Sequence, residues 1–537
     1  MLMLIPCFLL PMLAAFLLLC VLWPGPVRAQ FALKLCLAVG GGLGLASCTW
    51  FVWLVGIGPA GWVYPLVESA FYLAVAVGCL VALRRRAADG LAIEAADRPA
   101  AGVIAWVLLV IGAVALVAQG ATVALYTYAA PHGVGDAVYF WNQRARALYR
   151  GGEQWADAFS PLVQVPDYPL LVPGNVVRGW WYAGEEMLLV PAVVAFLFTV
   201  GTTTLLAAAL AALRGLSQGA LAGLALVGTS LFTYLGSAQV ADVPLSFYLL
   251  ATLILLMVRD TFAPGSGRLV AAAGLTAGLA AWTKNDGQLF IVCLIAARML
   301  VVLSSRGGDA LVREAGWFLA GLLPVALVVG SFKLTLAPTN YILAGQSWEA
   351  TLDRLGAPER YQLIGIGLLR ESLRVGGGVL IVLPLVLLLF GRRGGALSTA
   401  AAVASGALAV LMCAAFALNA YVLKRQGLPA PGAADLRTLG GPAMLLPLYL
   451  PLLGRTPAAV PRAAVAPVLL IVLLVFLGYL AVYLVTPIPL AMQVRSSLHR
   501  LLMHLWPLTL FGFFLLVAAP EEALAAEDPP GNKLRSV

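Results

Sequence analysis

An aspartate, two arginines and three consecutive aromatics fall within one short stretch, Gly135-Asp136-Ala137-Val138-Tyr139-Phe140-Trp141-Asn142-Gln143-Arg144-Ala145-Arg146. It follows an uncharged apolar run, Val103 to Tyr128, that is long enough to cross a bilayer. Ionisable groups are costly beside hydrocarbon, so such a cluster marks a functional site by default. Asp136 has the chemistry of a general base for an attacking hydroxyl. It also suits a helix N-cap, because a carboxylate is favoured at the positive end of the helix dipole. The two roles are compatible, since a cap fixes orientation.

Other polar groups emerge from apolar surroundings at intervals. Asp167-Tyr168-Pro169-Leu170-Leu171-Val172-Pro173 is an aromatic-proline turn that restrains its own backbone, and Asp167 is a candidate second acid or acceptor ligand. Gln239-Val240-Ala241-Asp242-Val243-Pro244 puts a carboxylate at the mouth of an apolar run, where Asp242 reads as an N-cap or as another second acid. In Thr283-Lys284-Asn285-Asp286, Lys284 and Asp286 cannot both be buried unpaired. Either they pair with each other or Lys284 meets an anionic ligand. Arg495, His499 and Arg500 recur at helical spacing beside Val494, Leu498 and Leu502. That stripe reads as a headgroup-binding surface helix or as recognition of a lipid phosphate. Arg144, Arg146 and Asp286, with Trp141 and Tyr168, are candidates for substrate binding. Trp141, Tyr168, Trp180 and Trp181 have rings that can stack on sugars, although interfacial anchoring is the commoner use of such residues.

The elements that must position these groups are membrane spans. The chain is 62% hydrophobic and 11% charged, with mean hydropathy +0.96, against roughly 25% charged for a soluble domain. The reading is an all-α polytopic membrane protein. The net charge of +9 then marks arginine-rich cytoplasmic loops rather than nucleic-acid binding. The seven cysteines show no paired spacing and read as small buried apolar residues. There is no phosphate-binding glycine loop, no dinucleotide fingerprint and no metal-ligand spacing, so neither cofactor nor metal is expected.

Arg84-Arg85-Arg86 fixes one loop in the cytoplasm, and the rest follows by alternation. This predicts about 13–15 spans of some 20 residues. Residues 1–100 carry N-terminal helices. Residues 101–390 form a catalytic core that includes an external loop at 127–186. Residues 391–520 carry C-terminal helices with an external loop at 486–506, and 521–537 form a cytoplasmic tail. The first external loop sets Arg144, Arg146, Arg150 and Arg178 against Asp136, Glu153, Asp157, Asp167, Glu185 and Glu186. Loops of that length are usually functional. Within it, residues 136–149 put Val138, Trp141, Ala145 and Leu148 on one face, as an interfacial helix would.

Taken in order, these segments resemble the GT-C superfamily of membrane glycosyltransferases, in its bacterial protein-mannosyltransferase-like and aminoarabinose-transferase-like branch. The likeness rests on Gly135-Asp136-Ala137 with Trp141 to Arg146, the Asp167 to Pro173 turn, Ala241-Asp242-Val243-Pro244-Leu245 and Trp282-Thr283-Lys284-Asn285-Asp286-Gly287. Tyr483 to Pro487, running to Leu505-Trp506-Pro507, adds a late signature in which Gln493-Val494 stands where a Trp-His pair is expected. The resemblance implies a GT-C-like helical bundle in the bacterial inner membrane, with its active site on the periplasmic side. It further implies inverting sugar transfer from a polyprenyl-phosphate donor to a glycan or glycolipid acceptor such as lipopolysaccharide, without a catalytic metal. Asp136 would be the base. Lys284, Arg495, His499 and Arg500 would stabilise the departing lipid phosphate.

The competing readings are a transporter or flippase of lipid-linked sugars and a glycan polymerase or ligase. A transporter commonly has broken helices in two corresponding halves, and the large acidic first loop has no counterpart in the second half of the chain.

Overall fold

The apolar runs fold as helices because lipid offers backbone N–H and C=O groups no partners. The computed structural model of the protein describes residues 3–25, 30–88, 102–160, 162–338, 346–375 and 462–522. The long helices are α1 (Leu4–Leu22), α2 (Phe31–Gly56), α3 (Tyr64–Ala88) and α4 (Val103–Ala129). A π-turn (Ala137–Trp141), α5 (Asn142–Arg150), a 3-10 segment (Gly152–Phe159) and α6 (Leu171–Ala183) follow. Next come α7 (Leu189–Arg214), α8 (Leu216–Val227), α9 (Ser230–Ser237), α10 (Asp242–Phe262), α11 (Gly267–Thr283), α12 (Asp286–Arg306) and α13 (Gly308–Thr335). The shorter α14 (Trp348–Gly356) and α15 (Pro358–Val375) precede α16 (Arg462–Val485) and α17 (Leu490–Leu516).

Ten of the described helices are long and apolar enough to cross a membrane, or eleven if α8 and α9, bent by 67° at their junction, count as one span. The chain is therefore an all-α polytopic membrane protein. The expected spans and arginine loops between residues 376 and 461, the boundary drawn at 390, and the tail from 523 lie outside the described residues.

Helix α10 is the axis of the bundle. It is apolar on every side and buried from Asp242 to Arg259, as a helix without a polar face must be. It packs against α7, α11 and α17. By contrast, α4 turns Val103, Val107, Val114 and Val117 outward, which suits a surface facing lipid rather than water.

The bundle has two chemically different ends. At one, α10 begins at Asp242 and α12 at Asp286. At the other, α10, α12 and α13 are knotted together by Arg298–Asp260 (2.9 Å), Arg298–Glu314 (2.5 Å) and Arg306–Asp260 (3.1 Å). Arg214, at the C-terminal end of α7, pairs there with Glu522 at 2.9 Å.

Three expectations change. Residues 486–506 are not an external loop: from Leu490 the chain is one continuous helix, α17, running to Leu516. Its polar side chains are tolerated because Arg500 ion-pairs with Asp242 and His504 hydrogen-bonds to it, inside the bundle rather than facing water. The second half of the 127–186 loop also re-enters the protein as α6, with almost every residue from Leu171 to Trp180 buried. Arg178, counted as a loop charge, lies fully buried against Glu68 at 2.7 Å. Finally, the 136–149 segment opens with a π-turn. Trp141, Ala145 and Leu148 face inward as expected, whereas Val138 is 42% exposed.

Candidate functional site

The site begins with how the Asp136 loop is hung. Gly135, at φ +56°, turns the chain into the π-turn in a left-handed conformation that a side chain would resist. The loop is tied to the α9–α10 connection, where Val134 N–H donates to the Ala238 carbonyl at 3.2 Å. Asn142 Nδ2 donates to Gln239 Oε1 at 2.6 Å and to the His132 carbonyl at 3.0 Å. Gln239 itself sits at φ +61°, a strained setting for a non-glycine residue. These ties bring Asp136 beside the first turn of α10.

Asp242 occupies that first turn, and Ala241 is the N-cap residue. The Asp242 carboxylate does not cap its own helix but turns to a cluster of cations and is 1% exposed. Its Oδ1 accepts from Lys284 Nζ at 3.1 Å and lies 2.7 Å from His504 Nε2. Its Oδ2 accepts from Arg500 Nη2 at 2.7 Å and Nε at 3.1 Å. A carboxylate only accepts, so His504 Nε2 carries a proton, and Nδ1 is then the acceptor for Tyr479 Oη at 3.2 Å. A buried charge is tolerable only when paired this completely.

Arg500 reaches further and pairs through Nη1 with Asp136 Oδ2. Asp136 is the N-cap residue of the π-turn but makes no side-chain capping bond. Its side chain is 28% exposed, the most open carboxylate of the cluster. Lys284 completes the group, 3.6 Å from Asp286 Oδ2. Burial alone would lower the Lys284 pKa, but the Asp242 and Asp286 carboxylates outweigh it and hold the ammonium above its ordinary value. The turn between α11 and α12 depends on Gly287, since a Cβ there would stand 2.1 Å from the Ala280 carbonyl oxygen.

Asp167 lies apart from this group. Fully buried, it accepts from Asn285 Nδ2 at 2.8 Å and lies 3.6 Å from Lys333 Nζ. Lys333 also donates to Asn285 Oδ1 at 2.8 Å. This second network locks the aromatic-proline turn to α13 and to the Lys284–Asp286 turn. Asp167 thus has the position of a brace rather than of an acid open to substrate.

The residues expected to bind substrate divide. Trp141 is fully buried, 5.5 Å from the Tyr168 ring, and presents no face to a ligand. Arg144 is also buried, with its guanidinium donating to the carbonyls of Tyr168 (3.0 Å), Gln164 (3.1 Å) and Val165 (2.7 Å). Burial pushes its pKa down to about 10, with Asp167 acting the other way. Both residues build the loop, because a chain without regular structure must satisfy its carbonyls with side chains. Trp180 is buried, and its Nε1 donates to the Met187 carbonyl at 2.9 Å. Arg146 is half-buried, 2.9 Å from His132 Nδ1. Tyr168, Trp181 and Asp286 are partly open.

On α17, Arg500 and His504 stand one turn apart and share a face, whereas Arg495 is rotated about 140° from Arg500 at 100° per residue. Arg495 is accordingly exposed and outside the cluster, and His499 is half-buried beside it. His504, Tyr479, Asn285 and Lys333 are site residues that the sequence did not single out. The spacing of Arg500 and His504 on one helical face was the available signal.

The assembled chemistry is an accessible carboxylate, fixed by a guanidinium, beside a second carboxylate buried among cations. Such a group can take a proton at Asp136 while Lys284 and Arg500 face developing negative charge. No set of three or more His, Cys, Asp or Glu side chains among the described residues is arranged to hold a metal ion. Comparison of the chain with protein-family models, with curated proteins and with solved structures finds no match.

Proposed function

We propose that the protein is an inverting glycosyltransferase of the GT-C type. It moves a sugar from a polyprenyl-phosphate donor to a cell-envelope glycan or glycolipid on the periplasmic face of a bacterial inner membrane. The observation that carries this reading is the Asp136–Arg500–Asp242 arrangement at one end of a membrane bundle. Asp136 takes the proton of an acceptor hydroxyl as the oxygen attacks the anomeric carbon. The C–O bond to the lipid phosphate breaks, and the bonding pair leaves with the phosphate. That phosphate needs no proton to depart but does need cations, and Lys284 and Arg500 stand beside the base to supply them. Holding two substrates together at the boundary supplies much of the remaining acceleration. The arginines support the sidedness: Arg214, Arg259, Arg298 and Arg306 gather at the far end of the bundle, as the positive-inside rule expects of a cytoplasmic end.

The test is a transfer assay with purified protein, a radiolabelled polyprenyl-phosphate sugar and extracted envelope glycolipids. Sugar transfer with release of lipid phosphate is expected from the wild type and not from Asp136→Asn. Movement of intact donor across vesicles with no transfer sinks the enzyme reading in favour of a flippase.

A further inference from the structure

A groove of about 300 Å³ opens in the loop between α4 and α6. It is lined by Phe140, Gln143, Arg144, Arg150, Gln154 and Asp157, from the π-turn, α5 and the 3-10 segment. None of the groups described around Asp242 belongs to it. Its size falls at the lower end of pockets that take small molecules.

Two features of the groove bear on what it would hold. The first is an unpaired donor. Arg144 is 2% exposed, and its terminal nitrogens are committed to three carbonyls, yet its Nε has no hydrogen-bond partner. A buried N–H left in that state is costly and calls for an explanation. The second is the charge balance of the walls. Arg150 is engaged by Glu186, donating from Nη2 to Oε2 at 2.7 Å. Among the lining residues Arg144 and Arg150 exceed Asp157 by one charge, but with Arg144 committed to three carbonyls and Arg150 to Glu186 neither guanidinium is left to hold a phosphate. The groove offers two amides, a carboxylate and guanidinium edges, all within reach of hydroxyls that both donate and accept, with the Phe140 ring as an apolar face. Mixed hydrogen bonding around an aromatic face is the chemistry of a neutral sugar ring.

Phe140 and Asp136 belong to the same turn of chain, which places the groove next to the proposed base. We propose that this groove binds a neutral sugar residue of the acceptor other than the one carrying the attacking hydroxyl. The acceptor is then a glycan with more than one sugar, read by the first loop and presented to Asp136. This identification of the acceptor rests on the glycosyltransferase reading, whereas the saccharide-binding property of the groove does not.

The experiment is saturation-transfer NMR on the full-length protein in lipid nanodiscs. The probes are neutral di- and trisaccharides of glucose, galactose, mannose and N-acetylglucosamine, with inorganic phosphate as competitor. Saturable transfer is expected for a subset of sugars, unaffected by phosphate, equal in Asp136→Asn and weakened about tenfold in Gln154→Ala and Asp157→Ala, the scale of one lost hydrogen bond. Both of those side chains are exposed, so neither change threatens folding, and a melting curve checks this. Absence of transfer from every saccharide, equal transfer in the groove variants, or displacement by phosphate overturns the proposal. No sugar transfer by the wild type with intact saccharide binding defeats the enzyme reading alone. Inactive Asp136→Asn with no saccharide binding defeats the groove alone.

Discussion

Asp136 and Asp242 share one guanidinium: Arg500 pairs with the open carboxylate through Nη1 and with the buried one through Nε and Nη2. Their loops are far apart in the chain, so the pairing depends on the Asn142–Gln239 tie that brings them together. One carboxylate is thereby available for chemistry and the other for holding the cation in place.

That division separates the expected effects of two similar substitutions. Asp136→Asn removes the base while leaving a neutral acceptor at the surface, so transfer falls by about 10²–10⁴-fold, the usual contribution of general-base catalysis. Melting in detergent changes little. A large loss of stability alongside the loss of activity would count against Asp136 acting as a base.

Asp242→Asn behaves in the opposite sense. It strips the compensating charge from buried Lys284 and Arg500, and breaking a buried pair in this way costs about 3–5 kcal/mol. A marked drop in melting temperature and in yield of folded protein is the expected readout. Adding Lys284→Met to Asp242→Asn should recover part of the loss, because the residues interact directly and their effects are not additive. A double variant with additive losses would show that Lys284 does not depend on Asp242.

Lys333→Met tests the brace. Asp167 and Asn285 would lose their shared cation while every group around Asp136 stays in place. The aromatic-proline turn should become sensitive to limited proteolysis between residues 160 and 170, with transfer reduced through a higher KM for acceptor. Unchanged cleavage would mean that Arg144 and the aromatic packing hold the turn without Lys333.

The Arg150–Glu186 pair gives a pH prediction. The hydrogen bond from Arg150 holds the Glu186 pKa below its ordinary value. A depressed carboxylate contributes stability above its unfolded pKa of about 4.3 and loses it as pH falls through the lower folded value. The pair is largely exposed and screened by solvent, so Glu186→Gln should lower the melting temperature only slightly at neutral pH. Thermal melts of wild type and variant should converge as pH falls below the ordinary carboxylate range.

The ionisable residues at the ends of apolar runs were visible in the sequence, because hydropathy makes each stand out. Asp136, Asp242, Lys284 and Arg500 could therefore be named before any fold was known, and the structure brings them into one group. Their pairing was not legible. Lys284 reads locally as a partner of Asp286, yet its nearer carboxylate is Asp242 on another helix. The polar stretch around Arg495 to His504 lowers hydropathy enough to resemble a loop, although Asp242 makes it affordable inside a helix. Arg178 misled in the same way, since nothing near it in sequence announces Glu68. Local pattern reports the cost of a charge, and only the fold reveals what offsets it.

The knot of Arg259, Asp260, Arg298, Arg306 and Glu314 fastens α10, α12 and α13 at the end remote from Asp136. At the near end the same α10 and α12 meet through a single ammonium, that of Lys284. α12 and α13 are held at both tips, the near one by Lys333 and Asn285, whereas α10 and α12 are bound by several arginines at one tip and by one cation at the other. Any parting of α10 from α12 would therefore begin at the Lys284 tip, beside the carboxylates, with the arginine knot as its fulcrum.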